Sequence, residues 1–532
     1  VTAEPLITVS DAEGGETPVS VSAIRTFVRG RRRRPWFDIY AIGFGIVMAG
    51  IYLSDLLTAP LSRLGAAAAH PAGQASSQAV AGAALVIASA AGLLMLVQAF
   101  GPIALSPADS SWLLFSPLDR RSLLRRPTAA VSALAALAGA VGGVLALAMA
   151  GPYLPRGSGG LPADWVVLSA VIGAGCFLAV VFTAALAQPR ARWRARLRAC
   201  CAAIAAVALV GALAGERWAA LSRAITDGFA RTSTASLGVL AVVAAGLACV
   251  AGLLAWHSLR HFPASVLRTD SARASRALTA AAFLNVPLLT WIAEDNHWRG
   301  RRLPSRPWPG LSPAMVLAWA DWRRLGRRPA LLAVVAASTI LPALAGAALT
   351  GKAHGWTIAA VLLAGAIAAG LPGTTAIRRD TNDPALRRML GVTASSALTA
   401  RALLPALLTA AWLALALAFL VATGVLHGWL WPLLGLFAGP GVAAAAMRMA
   451  RTAPINPVDR GTDLPIGSTP PWVISRVLSL VVGVIGAFPA LRAVQTGHVS
   501  SGTFTAQLAL SVIVLGGYLM IASTMTASNG SR

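Results

Sequence analysis

The densest group of side chains able to bind a metal or move a proton is the string Glu294-Asp295-x-His297. Two carboxylates and an imidazole within four residues are donor types for a metal site or an acid–base pair. The same string also has the composition of a solvated turn, the commoner setting for such residues. His257 and His261 lie earlier in the same inter-helix segment, while His70, Glu216, Asp227, His354 and His498 stand singly and share no motif. No HExxH, GxSxG or CxxC is present, so the usual zinc-hydrolase, serine-hydrolase and dithiol chemistries have no carrier. The first outer loop, 58–77, has no acidic pair of the kind a lipid-linked glycosyltransferase would use. The chain is therefore expected not to be an enzyme by itself, with no catalytic residue and no metal site.

Phosphate chemistry fares no better. The nearest approach to a nucleotide-binding loop is GAALTGKA at 346–353, which ends in Ala353 where a Ser or Thr should meet magnesium. Cys176, Cys200, Cys201 and Cys249 lie in or beside apolar segments, without metal spacing or a disulfide framework.

The elements that hold these residues follow from composition. Of 532 residues, 57% are hydrophobic and only 12% charged, about half the charge of an ordinary soluble domain. Such a chain cannot cover an aqueous surface, but a hydrocarbon-facing surface removes that need. Lys+Arg number 44 against Asp+Glu 19, a net charge of +25. The arginines fall in short runs between apolar stretches, the topogenic pattern rather than a nucleic-acid footprint. Lys352 is the sole lysine. The first twenty residues are polar, with Asp11, Glu13 and Glu16, and are not expected to form a cleavable signal.

Windows of about 20 apolar residues predict an all-α polytopic membrane protein with about twelve transmembrane helices. The spans are 37–57, 78–102, 128–150, 165–187, 198–215, 235–256, 330–349, 355–375, 402–424, 428–448, 472–491 and 504–524. With both termini placed in the cytoplasm, 37 of the 44 Lys and Arg fall inside and 7 outside, as the positive-inside rule requires. The organisation is a 1–35 cytoplasmic tail with an amphipathic connecting helix, then a 36–256 six-helix half. A 257–329 linker carries a second connecting helix; a 330–525 six-helix half and a 526–532 tail complete the chain. The short apolar patch 279–292 is read as reentrant or interfacial, because a thirteenth span there would invert every later loop.

The connecting helices have one apolar face each: Val21, Ile24, Phe27 and Val28 in 19–34, and Met315, Leu317, Trp319, Trp322 and Leu325 in 312–329. Arg31–Arg34 with Pro35 before span one, and Arg327-Arg328-Pro329 before span seven, suggest an internal duplication. Membrane lipids, anionic headgroups in particular, are the expected neighbours of these helices. Gly435 and Gly439 have a small-xxx-small spacing that permits close helix approach.

Between spans two and three, SPADSSWLLFSPLDRRSLLRR (106–126) reads as a helical hairpin. Ser106, Asp109 or Ser110 can cap its first helix, and Ser116 with Pro117 at the first position and Asp119 in the first turn restarts the second. The counterpart is RRDTNDPALRRMLGVTASSALTAR (378–401), with Asp383-Pro384 as a helix start and Gly391 as separator.

This pattern resembles the membrane subunits of type-2 ABC exporters, the ABC-2-like permeases, in an actinobacterial form with two fused halves. In that family a cytoplasmic hairpin between spans two and three couples the permease to its ATPase. The resemblance implies a coupling role for Asp109, Leu114, Pro117, Leu118, Asp119, Arg120, Arg121 and Leu124. By position alone it extends to Asp383, Arg387 and Arg388, where the Ser-Pro-Leu-Asp-Arg-Arg core is missing. The family's outer reentrant helices would correspond to 215–233, with Trp218, Leu221 and Ile225 at the outer gate; 492–503 is too short for an equivalent. The resemblance further implies cytosolic ABC ATPase subunits, two copies, as partners. ATP and Mg would sit on them and no cofactor in this chain. It also implies a location in the bacterial cytoplasmic membrane, no nucleic-acid partner, and room for a homodimer. Asp38, Asp55 and Asp164 lie at span ends, so a carrier driven by intramembrane carboxylates is the less expected alternative.

Overall fold

A computed structural model describes residues 72–116, 119–150, 162–213, 233–282, 286–298, 310–348, 354–382, 389–452 and 471–528. All regular structure among the described residues is helical. In chain order the helices are α1 (Ala72–Phe100), α2 (Pro107–Ser111), α3 (Arg120–Ala150), α4 (Ala163–Ala187), α5 (Ala191–Leu213) and α6 (Thr234–Ser258). There follow α7 (Ala264–Ala282), α8 (Val286–Trp298), α9 (Pro313–Gly326), α10 (Pro329–Ser338), α11 (Leu341–Ala348) and α12 (His354–Gly370). The last are α13 (Thr375–Asn382), α14 (Ala394–Ala422), α15 (Trp431–Arg451), α16 (Pro471–Thr496) and α17 (Ser501–Ser528).

Ten helical segments among the described residues are long and apolar enough to cross a membrane. The protein is therefore an all-α, multi-pass membrane protein. The expected span 37–57 and the connecting helix 19–34 lie outside the described residues. At 198–215 the chain is helical, but α5 opens with Arg192, Arg194, Arg196 and Arg198 and is not among the ten. The expected span 330–349 is α10 followed by α11, interrupted at Thr339 and Ile340. Pro342 explains the break: it lacks an N–H and its ring crowds the carbonyl four residues back. The hydroxyls of Ser338 and Thr339 satisfy nearby carbonyls, donating to Val335 at 2.7 Å and Ala336 at 2.6 Å.

Packing is uneven along the chain. Within the most apolar 18-residue stretch of each helix, 72% of residues are buried in Trp431–Arg451, against 17% in each of Arg120–Ala148, Ala163–Ala187 and Thr234–His261. The principal core therefore surrounds α15, where Trp412, Leu417, Trp431, Leu434, Val442 and Ile358 interlock. Small residues make this closeness possible. A Cβ on Gly439 would lie 2.3 Å from the Ala410 Cα, and one on Gly435 2.7 Å from the Leu413 carbonyl carbon. The pair picked out by spacing thus forms the α14–α15 seam. Gly139, Gly143 and Gly173 do the same between α3 and α4.

Neither helix that meets the patch 279–292 is among the ten membrane-length segments. The patch falls across the end of α7 and the start of α8, and Ala280, Leu288 and Ile292 close the two helices on each other. On α9, Val316, Leu317, Asp321 and Leu325 are buried while Met315 and Trp322 are exposed. Its apolar stripe is thus divided between the bundle and the surroundings.

Candidate functional site

By chain alternation, the end of α1, the start of α3 and the end of α6 share one end of the bundle. There the 106–126 segment forms a compact knuckle. Ser106 caps α2, accepting from the Asp109 amide at 3.1 Å. A 3-10 turn at Leu113–Phe115 follows. The second helix starts later than the spacing predicts. Asp119 is the cap, accepting from the Ser122 amide at 3.2 Å, and the helix begins at Arg120. The Ser116 hydroxyl instead donates to the Leu113 carbonyl at 2.6 Å. Its extended ψ of 156° suits a residue preceding proline. Pro117 and Leu118 lie outside the described residues.

Leu114 and Leu124 are buried with Ile103, Leu105, Leu123, Leu259, Phe262 and Leu267. Leucines expected to face a partner thus form the knuckle's own core. Arg120 also turns inward, its Nη1 donating to the Phe262 carbonyl at 2.6 Å. Arg121 reaches His257 at 3.5 Å and lies over the Trp256 ring. Exposed instead are Trp112, Phe115, Arg125 and Arg126, with the Arg268 guanidinium 6.0 Å from the Phe115 ring. Asp109 is half-buried. Periodicity could not have revealed this division, because the knuckle's core is completed by α6 and α7 from far along the chain.

A polar lock holds the knuckle's base. Gln188, fully buried, accepts from the Ile103 amide at 3.2 Å and donates to the Ile103 carbonyl and Asp270, both at 3.0 Å. Leu105 donates its amide to Ser271 at 2.8 Å. Asp270 pairs with Arg273 at 3.0 Å and Arg194 at 3.7 Å. Gly101 adopts φ +86°, and a Cβ there would lie 2.7 Å from Gln188 Nε2, so glycine is needed on both counts. Apart from its hydrogen-bonding types, nothing in the sequence marks Gln188.

A second charged cluster joins α8, α9, α13 and α14. Glu294 is a buried helical residue rather than a solvated turn residue. It has Arg324 and Arg379 at 3.5 Å and Arg328 at 3.9 Å. No cluster of three or more metal-ligating side chains occurs among the described residues. Nearby, Arg401 holds Asp380 with Nε at 2.8 Å and Nη2 at 2.9 Å, and reaches both oxygens of Asp321 from Nη1 at 3.4 Å. Burial raises the Asp321 carboxyl to about 6; Arg401 and Arg324 oppose the rise, while Asp380 and Glu294 reinforce it. Burial lowers the Arg328 guanidinium, and Glu294 opposes that shift.

Asp383, Arg387 and Arg388 of the second hairpin, and Trp218, Leu221 and Ile225 of the outer gate, lie outside the described residues. Gly391, the expected separator, has φ +62°, and Thr393 caps α14 by accepting from the Ser396 amide at 3.3 Å.

A family profile matches residues 74–456, nearly from the start of α1 to beyond α15. The chain belongs to the family of unknown function DUF6297. The stretch matched to DUF6297 contains the knuckle, its polar lock and the Glu294–Asp321 cluster. No curated protein and no solved structure matches the chain.

Proposed function

We propose that this DUF6297 protein is the permease of an ABC-type exporter, energised by ATP hydrolysed on separate cytosolic subunits. The observation that carries the reading is the knuckle. It lies between the first two described spans, is fastened to α6 and α7, and presents Trp112 and Phe115 outward. A rigid lever with an exposed aromatic tip suits the transfer of motion from a docking partner into spans. Aromatic side chains are also favoured anchors at protein interfaces.

In this proposal the chain has twelve spans in two six-helix halves with both termini cytoplasmic, in a bacterial cytoplasmic membrane. Two ATPase copies, with their ATP and Mg, dock at 106–126 and 378–401; closure of the ATPases rocks the halves apart. Asp119 as helix cap, and Arg120 and Arg121 through their contacts to Phe262 and His257, keep the lever stiff, while Trp112 and Phe115 make the contact. A carrier or channel working without an ATPase, and a membrane scaffold, are the competing readings.

The test is affinity purification of the native chain in mild detergent, with mass spectrometry and an ATPase assay on the eluate. The expected result is a soluble nucleotide-binding protein that is lost from Trp112→Ala/Phe115→Ala. Recovery of the chain alone, under conditions where crosslinking before extraction also finds no ATPase, overturns the proposal in favour of the competing readings.

A further inference from the structure

Asp321 is 4% exposed, and Arg401, the cation paired with it, is shared with a second carboxylate. Arg401 makes its short contacts, 2.8 and 2.9 Å, to Asp380, and meets Asp321 only at 3.4 Å. Every charged neighbour in this cluster takes a side. Glu294 faces it from α8, Arg379 and Asp380 belong to α13, Arg401 to α14, Arg328 precedes α10, and Arg324 lies on α9 itself. The 3-10 turn Leu371–Thr374, also packed on α9, brings no titratable group. Glu294 faces three guanidinium groups, Arg324, Arg328 and Arg379, and Asp380 takes the short contacts of Arg401, so Asp321 is the buried carboxylate whose ion pair is to a guanidinium shared with a second carboxylate. A cleft about the size of one water, lined by Asp321, Glu294, Arg324, Arg328 and Thr375, reaches the site.

We propose that Asp321 is a proton-binding site whose occupancy controls how firmly helix α9 docks on α14. Burying an ionised carboxylate without close pairing is costly, and a proton removes that cost. The carboxyl is raised to about 6 when docked, against an ordinary value near 4 in water. The docked position therefore binds the proton more tightly than an undocked one. Its contribution to docking is fully present below the ordinary value and is lost as pH rises through about 6. Acid tightens α9 against the bundle; neutral pH leaves a buried charge that favours its release. The inference is independent of any ATPase partner.

The test is hydrogen–deuterium exchange of residues 313–326 in the full chain in lipid nanodiscs, corrected for intrinsic exchange. Protection is expected to be about tenfold higher at pH 5 than at pH 7.5, with Asp321→Asn protected alike at both. Protection independent of pH in the wild type, or an unchanged pH dependence in Asp321→Asn, overturns the proposal. If Asp321→Asn does not fold, infrared titration of the wild type and Asp380→Asn decides. Freeing Arg401 should move a carboxyl titrating near pH 6 to lower pH. The absence of such a carboxyl, or a midpoint that does not move, overturns it.

Discussion

Gln507 donates its Nε2–H to the Gly486 carbonyl at 2.7 Å, and its Oε1 accepts from the Ala490 amide at 3.0 Å. Gly486 and Ala490 are four apart on α16, the spacing of a helical hydrogen bond, with Pro489 between them. Proline cannot donate, and its ring crowds the preceding turn. The Gln507 amide from α17 thus supplies both a donor and an acceptor at a disturbed turn within apolar surroundings, where unsatisfied backbone is expensive. Gln507→Leu should lower stability by about 1–3 kcal/mol, read as a lower thermal midpoint in detergent. An unchanged midpoint would mean that the turn closes on itself.

The glycine seams give a paired prediction. Gly439→Ala puts a methyl group 2.3 Å from the Ala410 Cα, whereas a Cβ on Gly516 meets nothing within 4 Å. The first change should cost about 1–3 kcal/mol through overpacking. Gly516→Ala should be neutral or mildly stabilising, since alanine is the better helix former. Equal melting of both variants would rule out the α14–α15 contact as drawn.

Arg120 and Trp112 should separate folding from docking. Removing the bond from Arg120 to the Phe262 carbonyl should cost about 1–2 kcal/mol and loosen protection of 106–126 in hydrogen exchange. Trp112→Ala removes an exposed side chain and should stay within about 0.5 kcal/mol of wild type, yet weaken partner recovery. If Trp112→Ala melts like Arg120→Ala, the knuckle's tip is packed rather than presented.

Glu294→Gln leaves Arg324, Arg328 and Arg379 around an uncharged amide. Breaking a buried ion-pair group in this way typically costs about 3–5 kcal/mol. Limited proteolysis should then cut between α8 and α9 more readily than in wild type. A cutting pattern that does not change would mean that the ion pairs of Glu294 with Arg324, Arg328 and Arg379 do not hold this junction.

Much of the fold was legible in sequence because a membrane imposes long, uniform requirements. A run of about 20 apolar residues at 402–424 or 504–524 has few other uses, and α14 and α17 lie there. Local capping chemistry was legible too, as at Ser106. The shifted start at Asp119 was not, because Ser116 had a rival partner in the Leu113 carbonyl three residues back. The Thr339 break also depended on reading Pro342 inside an apolar run that looked continuous.

The candidate sites divide along the same line. Residue types and spacing by themselves determined the helical, multi-pass class and the hairpin at 106–126, because hydropathy and helix starts depend on neighbouring residues. Tertiary structure alone decided that Leu114, Leu124 and Arg120 face inward, that Glu294 faces three arginines, and that Asp321 shares its guanidinium with Asp380. Each of those outcomes depends on groups brought from 30 to more than 140 positions away. Burial and charge pairing are set by what packs alongside, and chain-local pattern carries no record of that.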